Sequence, residues 1–316
     1  MAFILSLFLV ALLVAGRSAA APVKGKKAVD SNLLASFNLI EQYAAAAYCS
    51  NNHDSPGDEI SCNSGNCPLA QAAKTTSVLE FEFTEATGFV AVDDTNQLIV
   101  VSFRGSYSPE DWATNLDLGV VNTNLCSGCT AHRGFWNSWL KSRDRVLAAV
   151  KTSLQAHPKY QVVSTGHSLG GALATLAAAD LRNNGYSVAL YSFGAPRIAS
   201  LKLSKYISDQ PGGNYRITHW NDLVPQLPPV WMNFAHISPE YYIKKLSLQS
   251  VDASNIQVYE GNLNWFGNGI FVGNGGWLVT DIGAHLWYFN AITACGSDKS
   301  LYSRDPDGDV EVVAKF

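Results

Sequence analysis

The chain has 316 residues, of which 47% are hydrophobic and 15% charged, and its formal net charge is −4. This is too apolar for a disordered chain, and it lacks the basic excess that phosphate contacts require, which argues against a nucleic-acid partner. Length and composition suit one α/β domain with a large core.

Residues 3–15 (FILSLFLVALLVA) form an apolar run shorter than the ~18 residues a membrane-spanning helix needs. Gly16, Arg17 and the small residues 18–21 follow, so 1–20 reads as a secretory signal peptide and not a transmembrane anchor. Residues 21–27 (APVKGKK) are basic, end in Lys26-Lys27 and read as a short propeptide. That leaves 28–295 as the folded domain and 296–316 as a C-terminal extension. The six cysteines fit secretion, since oxidising compartments let disulfides persist. Six cysteines allow fifteen pairings. Cys62 and Cys67 flank one small loop and Cys126 and Cys129 another, which leaves Cys49 and Cys295 to tie the two ends of the domain. A zinc site at Cys126-Ser-Gly-Cys129 would need a second ligand pair and a reducing compartment, so no metal is expected.

Residues 31–48 place Leu33, Leu34, Phe37, Ile40 and Tyr43 at helical spacing behind Ser31, a good N-cap, and predict an amphipathic helix. A polar loop, 50–69, precedes strands at 78–83, 87–93 and 98–103, with a hairpin turn at 94–96. LIVVSF at 98–103 is continuous enough to be a buried central strand. It runs into Arg104-Gly105-Ser106. A loop at the carboxyl end of such a strand faces the ligand crevice, which places Ser106 to offer its hydroxyl and N–H to an oxyanion. The plainer reading of that tripeptide is a turn. Next, 107–116 (YSPEDWATNL) carries Trp112 and Leu116 four residues apart. An amphipathic helix there would make a lid of Pro109, Glu110, Asp111, Trp112, Ala113, Thr114, Asn115 and Leu116. Alternatively it is a surface helix with one core tryptophan.

A long helix over 135–157 ends at Pro158 and leads into 160–184, YQVVSTGHSLGGALATLAAADLRNN, around which the chain is organised. Val162 and Val163 read as strand, Gly166-His167-Ser168-Leu169-Gly170 as a sharp turn, and the Ala/Leu run as a helix. The small neighbours Gly166, Gly170 and Gly171 suit a nucleophile elbow in which Ser168 stands exposed above the sheet. The Leu169 N–H then sits at a helix N-terminus, where unpaired donors and the helix dipole stabilise an oxyanion. A strand at 187–193, a helix at 201–208 and a strand at 215–219 continue a βαβ rhythm, which indicates a mostly parallel sheet with helices on both faces. Asp222 follows the last of these strands at once, where a triad acid must lie to reach its histidine, whereas Asp209 and Asp281 have weaker positional arguments. A histidine after the acid is either His236 or His285; the Gly/Asn-rich loop before His285 favours it.

Together these residues resemble the secreted filamentous-fungal class 3 lipases of the Thermomyces and Rhizomucor type, a family that includes mono- and diacylglycerol lipases and feruloyl esterases. The resemblance runs from about residue 31 to residue 295. It rests on AAAAYC, LIVVSFRGS, CSGC, TGHSLGGALA, SFGAPR, YRITHWNDLVPQLPP, SPEYYIK and AHLWYF. It implies a single-domain α/β-hydrolase with Ser168 as nucleophile, Asp222 as orienting acid and His285 as base. It also implies an oxyanion hole of Ser106 and the Leu169 amide, a lid around Trp112, and disulfides Cys49 to Cys295, Cys62 to Cys67 and Cys126 to Cys129. Phe135, Pro196, Val224, Leu227 and Leu286 match its acyl-groove walls. Two departures, Tyr107 at a lid-hinge position charged in some relatives and Trp220 in place of a small residue, bear on lid energetics and acyl choice. The expected function is cofactor-free hydrolysis of acylglycerol esters at a lipid-water interface by a secreted monomer. The alternatives are a feruloyl-type esterase for soluble aromatic esters and a catalytically inactive lipid-binding protein. Trp112 argues against the first and the complete triad against the second.

Overall fold

In a computed structural model, residues 29–83, 86–108, 117–269 and 281–296 are described, together with the backbone of 302–304 and 310–312. The signal-peptide and propeptide segments and the lid residues 109–116 lie outside the described residues. The strands are β1 (Thr76–Phe83), β2 (Ala86–Asp93), β3 (Leu98–Phe103), β4 (Val120–Asn122), β5 (Thr130–His132), β6 (Gln161–His167), β7 (Val188–Phe193), β8 (Asn214–His219), β9 (Glu240–Ile243) and β10 (Ile256–Tyr259). The helices are α1 (Ser31–Ala46), α2 (Pro68–Ala72), α3 (Arg133–Ala156), α4 (Leu169–Asn183), α5 (Leu201–Asp209) and α6 (Ile282–Leu286).

Eight strands form one sheet in the order β1-β2-β3-β6-β7-β8-β9-β10. The run from β3 to β9 is parallel, and antiparallel pairs close both edges. Burial on both faces explains the unbroken apolar runs. In β3, Ile99, Val101 and Phe103 join the core beneath α3 and α4, whereas Val100 joins the opposite core with Phe37 and Tyr43 of α1. In β7, Val188 and Leu190 point to the first core and Ala189, Tyr191 and Phe193 to the second. Five buried alanines, Ala172, Ala174, Ala177, Ala178 and Ala179, let α4 lie close on β6 and β7. Trp139 of α3 is fully buried, and its Nε1 donates to Asp180 of α4 at 3.0 Å.

Asp30, one residue before Ser31, caps α1 by accepting from the Leu33 N–H at 2.8 Å. The strands β9 and β10 extend the sheet beyond the elements the sequence pattern predicts. Their signal is masked because β9 is four residues long and opens with Glu240, a buried charge that pairs with Arg216 of β8 at 3.2 Å and accepts from the Thr218 hydroxyl and the Asn268 N–H. Cys49 pairs with Cys295, Cys62 with Cys67, and Cys126 with Cys129, so the thiols of the CSGC loop are consumed in a bond. In the C-terminal extension, β11 (Tyr302–Arg304) and β12 (Val310–Val312) pair with each other as a separate antiparallel ribbon. Among the described residues no helix is long and apolar enough to cross a membrane.

The long helix α3 begins with an unusual cap, since the His132 Nδ1 accepts from the Phe135 N–H at 3.3 Å. The imidazole stacks on the Phe135 ring at 3.9 Å. Burial pushes its pKa down from 6.5 to about 4, with Asp117 opposing the shift. A histidine depressed in the fold contributes stability that is fully present above its unfolded pKa and is lost as pH falls towards the folded one. Between pH 6.5 and about 4 the stability this histidine contributes is therefore lost. His132→Asn keeps an acceptor without titrating, so its melting temperature should fall less steeply with acidification over that window. Parallel slopes for the two proteins would show that this cap is not what acid weakens.

Candidate active site

The strand β6 runs directly into Ser168, whose backbone adopts φ 57° and ψ −127° before α4 begins. A non-glycine residue held there stores of the order of 1–3 kcal/mol of strain, which the packing around it must sustain. A Cβ on Gly166 would lie 2.4 Å from the Gly170 carbonyl group, and one on Gly170 would lie 2.1 Å from the Phe103 carbonyl oxygen. The turn is thus wedged between its own helix and the end of β3, with only hydrogen atoms tolerated at the contacts. The Ser168 N–H donates to the Phe193 carbonyl at 2.9 Å, which ties the turn to β7 as well. Leu169 is the first helical residue, so its N–H belongs to the first turn, where α-helical donors lack intrahelical partners.

Asp222 follows β8 and is fully buried. Its Oδ2 accepts from the His285 Nδ1 at 2.8 Å and from the Tyr288 hydroxyl at 2.7 Å. Its Oδ1 accepts from the Val224 N–H at 2.9 Å. Donation by Nδ1 to a carboxylate leaves the His285 Nε2 with its lone pair free, which is the tautomer a general base needs. The His285 Nε2 and the Ser168 Oγ are both buried and without hydrogen-bond partners, so no bond yet joins them. Such contacts are often long in unliganded enzymes and tighten around substrate. Gly194, at φ 57°, backs the acid-base pair, since a Cβ there would lie 2.6 Å from the Tyr288 hydroxyl and 3.0 Å from the Asp222 Oδ2.

The other carboxylates and the other histidine lie elsewhere. The His236 Nε2 meets the Pro225 carbonyl at 2.6 Å, and burial, Arg216 and Arg197 push its pKa well down. Asp281 caps α6 and accepts from Ser247, while Asp209 faces Lys205 at 3.8 Å on the exposed face of α5. Tyr288 lies within the AHLWYF segment, three residues beyond His285, but nothing in the sequence distinguishes a buried hydroxyl donor from a packed aromatic ring.

Ser106 is half-buried in the loop after β3. That loop abuts the elbow, because a Cβ on Gly105 would lie 3.0 Å from the Ser168 Cβ. Val224 and Leu286 are buried beside the acid and the base. Leu227 is tied to the residue after Pro196, since the Arg197 N–H donates to the Leu227 carbonyl at 2.7 Å. The buried Arg197 guanidinium bonds to the Gln226, Pro228 and Gly269 carbonyls, fastening two loops beside the site. Phe135 lies in the first turn of α3, stacked on His132. A cleft of about 480 Å³ between β1, β2 and α3 contains none of these residues.

Known proteins are similar to this chain in sequence and fold. A family model described as lipase (class 3) matches residues 100–232. Secreted mono- and diacylglycerol lipase A of Penicillium cyclopium is 42% identical over 271 residues, covering 84% of this chain and 88% of that protein. The crystal structure of a mutant of MDLA from Penicillium cyclopium matches with a TM-score of 0.80 at 41% identity, over 84% of this chain and 99% of that one. A triacylglycerol lipase whose catalytic centre is described as a serine protease triad matches with a TM-score of 0.71 at 27% identity, over 85% of this chain and 99% of that one. With its elbow serine, its α/β sheet and two-fifths of its residues in common with a lipase over most of both lengths, the chain belongs to the class 3 lipases.

Proposed function

We propose that the chain is a secreted serine hydrolase that cleaves acylglycerol esters, with Ser168 as nucleophile, His285 as base and Asp222 as orienting acid. The observation that carries this reading is the buried Asp222-to-His285 bond lying behind a strained elbow serine. The His285 Nε2 takes the Ser168 proton as Oγ attacks the ester carbonyl. Negative charge develops on the carbonyl oxygen, held by Ser106 and the Leu169 N–H, while Asp222 steadies the imidazolium. Collapse passes the proton from His285 to the departing glyceryl oxygen and leaves an acyl-enzyme. Water, deprotonated by His285, then releases the fatty acid by the same steps in reverse. The whole constellation lies within one chain, so the reaction requires no second copy.

Mono- and diacylglycerols are the first substrates to assign, from the name of the 42% identical relative. Pro196, Val224, Leu227 and Leu286, with Phe135, are proposed to line the acyl chain's path. Export accords with three disulfides and with the reading of the N-terminal segment as a signal peptide.

Two observations support action at a lipid surface. Ser168, Asp222 and His285 are each 0% exposed, so ester reaches the nucleophile only after covering chain moves aside. The segment 109–116 is the cover the sequence suggests. Near the loops that Arg197 fastens, Trp231 is 66% and Trp265 55% exposed, and Met232, Leu263 and Phe266 are exposed too. The stretches 223–235 and 261–269 contain no charged side chain, which suits contact with an uncharged lipid surface.

Replacing Ser168 by Ala should abolish turnover while the circular dichroism spectrum and melting temperature stay native; retained turnover would refute the triad. Ser106→Ala should lower kcat by about 10²-fold with little change in KM, whereas an unchanged kcat would remove it from the oxyanion hole. Hydrolysis of a long-chain diacylglycerol, followed through its solubility limit, should jump once an interface forms. Smooth saturation combined with fast turnover of methyl ferulate would instead identify a soluble-ester esterase.

A further inference from the structure

The residue before the nucleophile belongs to a hydrogen-bonded chain that the triad does not use. Tyr48 follows the C-terminal end of α1 and is 1% exposed. Its hydroxyl lies 2.8 Å from the His167 Nδ1, and the His167 Nε2 lies 2.9 Å from the main-chain carbonyl oxygen of His285. A carbonyl can only accept, so Nε2 carries the hydrogen; the neutral imidazole then accepts at Nδ1, and the Tyr48 hydroxyl donates. The directions are therefore set from one end to the other. The His167 and His285 rings stand 4.5 Å apart between centroids.

The chain's far end is anchored to the same region covalently. Cys49, next to Tyr48, is bonded to Cys295, ten residues beyond His285. The Tyr48 hydroxyl also lies against the Ser106 loop, since a Cβ on Gly105 would be 2.1 Å from it. Burial, then the neighbouring His285, hold the His167 pKa well below its ordinary value, so the imidazole stays neutral beside a residue that becomes cationic during the reaction.

We propose that Tyr48 is a positioning residue for the ester hydrolysis, acting through His167 to hold the backbone of His285 where its ring can reach Ser168. The inference rests on reading Ser168, Asp222 and His285 as the triad. Asp222 fixes the ring of the base by its Nδ1 edge, and Tyr48 with His167 fixes the backbone that carries it. Preorganisation of this kind acts on the proton-transfer geometry, so it appears in kcat more than in substrate affinity.

The test uses Tyr48→Phe, which deletes one oxygen and keeps the buried ring, on the full mature chain with soluble p-nitrophenyl butyrate. The expected result is a roughly tenfold lower kcat with KM within about twofold, per serine titrated by a phosphonate ester. In the second arm, His167→Asn keeps a polar atom near the Nδ1 position but cannot span to the His285 carbonyl. Adding Tyr48→Phe to that background should cost nothing further. A kcat for Tyr48→Phe within twofold of the parent overturns the proposal, even if the melting temperature falls. So does a full additional loss in the His167→Asn background. Ser168→Ala, assayed alongside, separates the two readings. Turnover surviving there refutes the triad; turnover lost there with Tyr48→Phe fully active refutes the role of Tyr48 alone.

Discussion

The contact between the end of β3 and the start of α4 is the constraint on which the rest of the site depends. With no side chain on Gly166 or Gly170, the helix begins directly against the Phe103 carbonyl, and Ser168 is driven into a positive-φ turn between them. Three consequences follow from that one approach. Ser168 takes its strained turn, α4 starts at the very next residue, and the loop after β3 closes against the Ser168 Cβ. A methyl group at either glycine would separate strand from helix and dissolve all three.

Around this wedge the site is a problem of burying charge. Asp222 is fully buried, yet each of its oxygens is satisfied by donors from its own loop, from α6 and from the segment after α6. Donors placed this way offset the cost of burying a carboxylate, which would be very high for an unpaired one. The same economy of donors appears in Arg197, whose guanidinium is spent on three loop carbonyls, and in the Arg216 to Glu240 pair that admits a charged residue into an inner strand. Asp222 and Arg197 thus organise the loops beyond the carboxyl ends of β8 and β7, while apolar packing holds the two faces of the sheet.

Much of this was legible from residue order. The elbow shows because a strand, three glycines about a serine and an alanine-rich helix occur in immediate succession, each with its own local physics. The apolar run of β3 declares a strand buried on both faces. Asp222 is legible because it follows a strand without an intervening residue run. Less visible were β9, whose buried glutamate breaks the apolar pattern, and His132, a residue type not favoured at helix N-caps. Tyr288 and Tyr48 were visible only as aromatic side chains within matching segments, since a hydroxyl's partner is a matter of three-dimensional neighbours.

By itself the sequence determined the fold class, the order of elements, the strained serine and the family to which the chain belongs, because these depend on backbone preferences and on short-range spacing. Only the tertiary structure decided which histidine meets which aspartate. It alone brought the Tyr48 hydroxyl to His167 and buried Asp222 among donors from distant segments. Those contacts join residues 63, 119 and 66 positions apart, so they exist only once the sheet has set the distances between its strand ends.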